Sequence, residues 1–236
     1  MTRVLVPLAI LEGESASPGL TTLLEPVDVT VLGYHVLPEQ TPPDQARAQY
    51  EDRAVDALED LTSTFRVGGG HADHRLVFTH DREQSFDRIA AETAADAYAI
   101  PGTSGQVDRL LVALTGDVAV DRICSFVGDL IGAREIGVTL FLATDDEEGG
   151  RDLLEAAATT LSAREVDVET ELVVDAPPFE ALLEAAAVHD AIVVGERAPS
   201  LRSFLLGEEA ERIAVESVAP VLVVRDIERD GASELE

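Results

Sequence analysis

The 236-residue chain carries one pattern of segments twice. "RVLVPLAI" at 3–10 answers to "RLLVALTG" at 109–116, and "VTVL" at 29–32 to "VTLF" at 138–141. "RLVFTHD" at 75–81 answers to "ELVVDAP" at 171–177, and "DAYAIPG" at 96–102 to "DAIVVGE" at 190–196. Order is kept, and the offsets are 106, 109, 96 and 94 residues. A repeat at this spacing means that two units of the same local structure share one chain.

The second unit is the plainer of the two. Residues 109–115, 136–143, 191–195 and 219–224 are short apolar runs rich in Val, Leu and Ile, the signature of strands buried on both faces, and 168–174 is expected as a further strand. Between them, 117–132 has apolar spacing of three and four, with Asp117 as the expected N-cap and Gly132 near the C-cap. "DDEEGGRDLLEAAATTLSARE" predicts a helix with acids at its positive end, and Pro177 and Pro178 open another. A helix over 204–217 precedes the last strand. Strands alternating with helices require parallel pairing and right-handed crossovers, hence a doubly wound α/β sheet. The first unit predicts strands near 3–8, 28–36, 74–79 and 97–101 and helices near 17–24, 44–65 and 83–94. Its long helix sets Ala46, Tyr50, Ala54, Ala57, Leu58 and Leu61 on one face. The fourth helix and fifth strand are missing from it. The expected organisation is therefore two α/β domains in tandem, a truncated one at 1–105 and a complete one at 106–228, with an acidic disordered tail at 229–236.

Charge narrows the partners. There are 46 Asp and Glu against 17 basic residues, every one of them Arg, for a net charge of −29. Such self-repulsion opposes compaction unless salt screens it, and at about 1 M the screening length falls to roughly 3 Å. Acid in this excess with no lysine points to a protein adapted to molar salt. The same field argues against nucleic acid or an anionic membrane as a partner. No leader or membrane-spanning run is evident, so a cytoplasmic protein is expected. The lone Cys124 allows no intrachain disulfide and falls on the apolar face of its helix. His35, His71, His74, His80 and His189 form no tetrahedral ligand set, and no metal is expected. His71 and His74 are expected in a solvated loop; Asp81, three residues before Gln84, caps the next helix.

One stretch could hold a ligand. "AIVVGERAPSLRSFLLGEEAERIAVESVAPVLVVRD", 191–226, is a strand, a glycine-bearing loop, a helix and a strand, an arrangement that often seats phosphate. Together with "RLLVALTGD" opening the unit, it resembles the universal stress protein family across nearly the whole chain, and the acidic lysine-free composition is similar to that family's haloarchaeal branch. The resemblance implies adenine nucleotide α-hydrolase-like domains. In members that bind ATP it implies Gly-x-x-Gly, nine residues and Gly-Ser/Thr after the fourth strand, with an acid just after the first. Here Gly195 matches the first glycine, and Ala198 stands at the second. Only eight residues then precede Gly207, and Glu208 replaces the hydroxyl. Thr115 occupies the acid's place, followed by Gly116 and Asp117; Leu8 and Ala9 stand there in the first unit.

Ala198 adds a Cβ where glycine allows close approach, and Pro199 removes an N–H. Glu208 would take the helix N-terminus that a phosphate needs, with only Arg197 and Arg202 to offset it. The candidate site is thus Thr115, Gly116, Asp117, Gly195, Arg197, Ala198, Gly207 and Glu208, expected to be degenerate and to hold no cofactor. The alternative is ATP or AMP at the same loop. No nucleophile–base pair stands out, so no enzymatic activity is expected. The resemblance implies a regulatory or accessory protein acting through protein contacts, in a stress response or beside a membrane transporter. The apolar last strand is expected to pair with its equivalent in a second chain, giving a homodimer.

Overall fold

A computed structural model describes residues 1–67, 70–116, 118–196 and 219–226. The first half runs β1 (Arg3–Leu8), a 3-10 turn (Ile10–Glu12), α1 (Pro18–Leu23), β2 (Asp28–Val36), α2 (Pro43–Val67), β3 (Ala72–Thr79), α3 (Arg82–Thr93) and β4 (Ala97–Ile100). The second runs β5 (Arg109–Ala113), α4 (Val120–Ile131), β6 (Gly137–Thr144), α5 (Glu147–Ser162), β7 (Val168–Val174), α6 (Pro178–Ala186), β8 (Ala191–Gly195) and β9 (Val221–Val224). The expected helix at 204–217, the tail at 229–236, and Asp117, Arg197, Ala198, Gly207 and Glu208 lie outside the described residues.

The strands form one nine-stranded sheet in the order β3-β2-β1-β4-β9-β8-β5-β6-β7. Side chains alternate between two buried faces, as the unbroken apolar runs require. Val4, Val6, Leu8, Leu110, Val112 and Val193 pack with α1, α2, α4 and α5, while Leu5, Leu111, Ala113, Ile192 and Val194 pack with α3 and α6. Helices on both faces make this a doubly wound α/β fold. Buried Ala46, Ala54 and Leu58 seat α2, and Phe65 extends that face. Cys124 is buried in α4, which pushes its thiol up to about 11. The outer strands carry charge, Asp73 and Arg75 on β3 and Glu169 and Glu171 on β7, which discourages edge-to-edge pairing.

The two halves make the same joint. Asp96, just before β4, accepts the Arg3 N–H at 2.9 Å and donates its own N–H to the Arg3 carbonyl at 2.8 Å. Asp190, just before β8, accepts the Arg109 N–H at 2.9 Å and donates to the Arg109 carbonyl at 2.9 Å. Ser17 caps α1 by accepting from the Leu20 N–H, and Asp81 and Asp146 likewise cap α3 and α5.

Three expectations need correction. The outer edge of β9 is not open to a second chain. β9 pairs in parallel with β8 and antiparallel with β4, Val223 lying opposite Tyr98. Within one chain the truncated half thus meets the single fifth strand through its own fourth strand. The residue after β9 strengthens this seam: Arg225, 5% exposed, donates its N–H to the Asp96 carbonyl at 2.8 Å and its guanidinium to the Ala95 carbonyl at 3.1 Å, above the Tyr98 ring.

The second correction concerns α4, which begins at Val120 with Ala119, rather than position 117, in the cap position and no side-chain cap bond. The residues before it turn tightly: Val118 N–H bonds the Gly116 carbonyl and Val120 N–H the Val118 carbonyl, at 3.1 and 3.0 Å. The third is that His74 lies inside β3 rather than in a loop, while His71 is exposed just before it.

Candidate ligand crevice at the strand ends

In an open α/β sheet the ligand crevice lies at the carboxyl ends of two neighbouring strands whose connections run to opposite sides. In the second half these are β5 and β8, Ala113 opposite Val194. With Ala113 opposite Val194, Thr115 and Gly116 leave the sheet at the same end as Gly195 and Glu196. What these residues do there is structural. The Thr115 hydroxyl accepts the Ala143 N–H at 3.0 Å and ties the end of β5 to β6. Gly116 has φ 91°, a left-handed conformation that disfavours residues with a Cβ. Gly195 is packed against the neighbouring loop: a Cβ there would come within 2.8 Å of Val118 Cγ1 and 3.2 Å of Ile123 Cδ1. Val118 touches the cores of both sheet faces. An apolar side chain therefore fills the floor of the crevice next to the first glycine. Glu196 is engaged as well, its N–H on the Val224 carbonyl at 2.9 Å and its carboxylate accepting the Asp226 N–H at 2.7 Å.

The corresponding rim of the first half is closed by another device. Gly13, at φ 82°, lets the loop after β1 turn back, and Glu14 Oε2 accepts the Ala9 N–H at 2.6 Å. A carboxylate of the chain itself thus holds the backbone donor at the end of β1. Burial pushes the Glu14 carboxyl above its ordinary value; the hydrogen bond from Ala9 opposes this, and the charge of Glu12 adds to it. Tyr34, at the end of β2, is likewise raised by burial and then by the Glu14 charge, against a hydrogen bond with Arg82. His80 Nδ1 lies 3.2 Å from the Leu37 carbonyl, and Asp81 Oδ1 accepts the Gln84 N–H at 3.0 Å. No group of three or more His, Cys, Asp or Glu suited to a metal occurs among the described residues.

Sequence reasoning missed Val118, Glu14 and the pair Arg122–Asp96, which joins the first turn of α4 to the base of β4 at 3.1 Å. The only signal for Val118 was a pair of valines in "GDVAVD", a stretch read as the start of the helix over 117–132. Glu14 gave none.

Residues 106–225, half of the chain, match the universal stress protein family. The chain belongs to that family. A universal stress protein from Archaeoglobus fulgidus DSM 4304 is similar to it over 94% of this chain and 96% of its own, at 16% identity and a TM-score of 0.61. The cytoplasmic domain of a prokaryotic cation chloride cotransporter is similar over 99% of both chains, at 10% identity and a TM-score of 0.54. A universal stress protein crystallised in complex with cAMP is 25% identical over 50% of this chain and 97% of its own, with a TM-score of 0.40. No curated protein matches the sequence. The first two likenesses are of fold. No helix among the described residues is long and apolar enough to cross a membrane.

Proposed function

We propose that this universal stress protein is a non-catalytic regulatory or accessory protein of a salt-adapted cytoplasm, whose nucleotide crevice has degenerated and which acts through protein contacts. The observation that carries this reading is Val118 against Gly195: the glycine that would let a phosphate approach the backbone instead receives a side chain. Thr115 and Glu196, the polar groups beside it, are already bonded to the chain. The partner class is a protein, in a stress response or at a membrane transporter. The transporter is favoured only by analogy of fold with the cotransporter's cytoplasmic domain. Nucleic acid is disfavoured by the net charge of −29. A homodimer would have to use a face other than β9, and light scattering in molar KCl reads it out.

The test is ATP calorimetry in molar KCl, with adenine absorbance measured on protein purified from cells. The expected result is no stoichiometric adenine and no micromolar uptake of ATP or AMP. The second reading, an adenine nucleotide sensor, is favoured by the survival of Gly116 and Gly195 at the ends of the paired strands β5 and β8. Micromolar uptake abolished by Arg197→Ala would establish it and overturn the first.

A further inference from the structure

Thr30 and Thr139 hold the same place in the repeat. Each is a register partner of a core leucine, Leu5 or Leu111, and each has an acid opposite it on the outer strand, Asp73 or Glu169. In the second half the Thr139 hydroxyl lies 2.9 Å from His189 Nε2, and His189 Nδ1 lies 2.7 Å from the Ala185 carbonyl at the end of α6. A carbonyl only accepts, so Nδ1 carries the hydrogen, and in the neutral ring Nε2 accepts from the threonine. The histidine stands just before Asp190. Just before Asp96, its counterpart, stands Ala95, fully buried.

Thr30 therefore faces no imidazole. It is 0% exposed, and its Oγ1 has no hydrogen-bond partner among the described residues. Asp73 Oδ1, on the same sheet face and in register with it, is also shut off from solvent without a partner among the described residues. α3 packs across β2 and β3 on this face. Buried polar oxygens are satisfied in nearly all folded proteins, by the chain or by ordered water.

We propose that Thr30 and Asp73 form a binding site for one buried water beneath α3, which takes the place of His189 as the partner of the threonine hydroxyl. The hydroxyl has one hydrogen to give, and the carboxylate oxygen only accepts. The bridging group must accept from one and donate to the other, which water does. A monovalent cation would suit both oxygens but leave the Thr30 hydrogen without an acceptor. The site also explains why the first half tolerates alanine at position 95: the Thr30 hydroxyl finds its partner in a water rather than in a side chain from that position.

Thr30→Val separates the outcomes by sign. Valine keeps the shape and removes the hydroxyl. If water bridges the pair, the substitution takes away one of its partners, and the melting temperature falls by about 2–4 °C. If Thr30 is simply unsatisfied, the substitution relieves it, and the melting temperature stays level or rises. Oxygen-17 relaxation dispersion on the folded protein gives an independent count: the wild type should hold one more long-lived internal water than Thr30→Val. An unchanged count, or a variant at least as heat-stable as the wild type, overturns the site. An anomalous peak between the two oxygens after a rubidium soak overturns it in favour of a cation.

Discussion

If Gly195 is kept for packing, replacing it should cost folding energy in the absence of any ligand. A Cβ at 195 would stand 2.8 Å from Val118 Cγ1, 3.1 Å from Val118 Cβ and 3.2 Å from Ile123 Cδ1. Carbon atoms rest at about 3.5–4.0 Å, so the worst contact is at least about 0.7 Å too close. The strand cannot slide away, because Gly195 is in register with Val224 of β9 and β8 is also held by β5. Overpacking of this kind costs about 1–3 kcal/mol, which in a domain of this size is roughly 2–12 °C of melting temperature. Val118→Ala removes the methyl that makes the worst contact. In that background the same Gly195→Ala change should cost under about 1 kcal/mol, so a double-mutant cycle should return a coupling of up to about 2–3 kcal/mol, clearly above zero. Thermal and urea melts followed by circular dichroism in molar KCl supply all four corners. A neutral Gly195→Ala, or an equal cost in both backgrounds, would refute the packing argument and return Gly195 to a ligand.

Glu14→Gln keeps an acceptor for the Ala9 N–H and removes the buried charge. Because burial raises the Glu14 carboxyl, the wild type carries a penalty at neutral pH that is relieved as pH falls through the raised value. Glu14→Gln should therefore melt higher at pH 7, with the gap closing by pH 4.5, the ordinary value; a constant gap across that range contradicts it. Arg134 donates to the Thr22 and Leu23 carbonyls of α1 at 2.6 and 2.9 Å, to Ile131 of α4 at 3.1 Å and to Leu130, so one planar guanidinium caps two helix ends. Arg134→Lys keeps the charge but not the fork and should lose about 1–3 kcal/mol, roughly 2–12 °C; a melt within about 1 °C of wild type counts against the double cap. Burial raises the Asp129 carboxyl, but hydrogen bonds from Thr2 and Arg164 and the Arg164 charge outweigh it, and the net is a value below the ordinary 3.8. That contribution is present above 3.8 and lost as pH falls through the lowered value. Arg164→Met should lower the melting temperature by about 1–4 °C at pH 7, a difference that shrinks below pH 3.8 and that acid-titrated melts would show.

Most strands were legible because both of their faces are buried, so that runs such as Arg109–Ala113 and Ala191–Gly195 carry no polar break. The repeat then located the halves, since Asp96 and Asp190 make the same joint. The pairing of β4 with β9 was not legible. It joins segments more than a hundred residues apart, and nothing local in "AYAI" or "VLVV" says which edge will meet which. The missing fifth strand of the first half suggested that no partner existed within the chain, whereas its fourth strand served. At the crevice, the strand ends follow from topology and so were legible. The groups that occupy it were not, because Val118 depends on a turn made by Gly116, and Glu14 reaches back five residues only once Gly13 has turned left-handed. Neither geometry leaves a periodic trace.

Since β9 runs against β4, the polarity of the sheet flips once, at the seam between the halves. The loops that could touch a partner in one half therefore open at one pole of the molecule, and those of the other half at the opposite pole. Immobilised by either pole, the protein would offer a visitor a single set of these loops, and two visitors could sit at once without meeting.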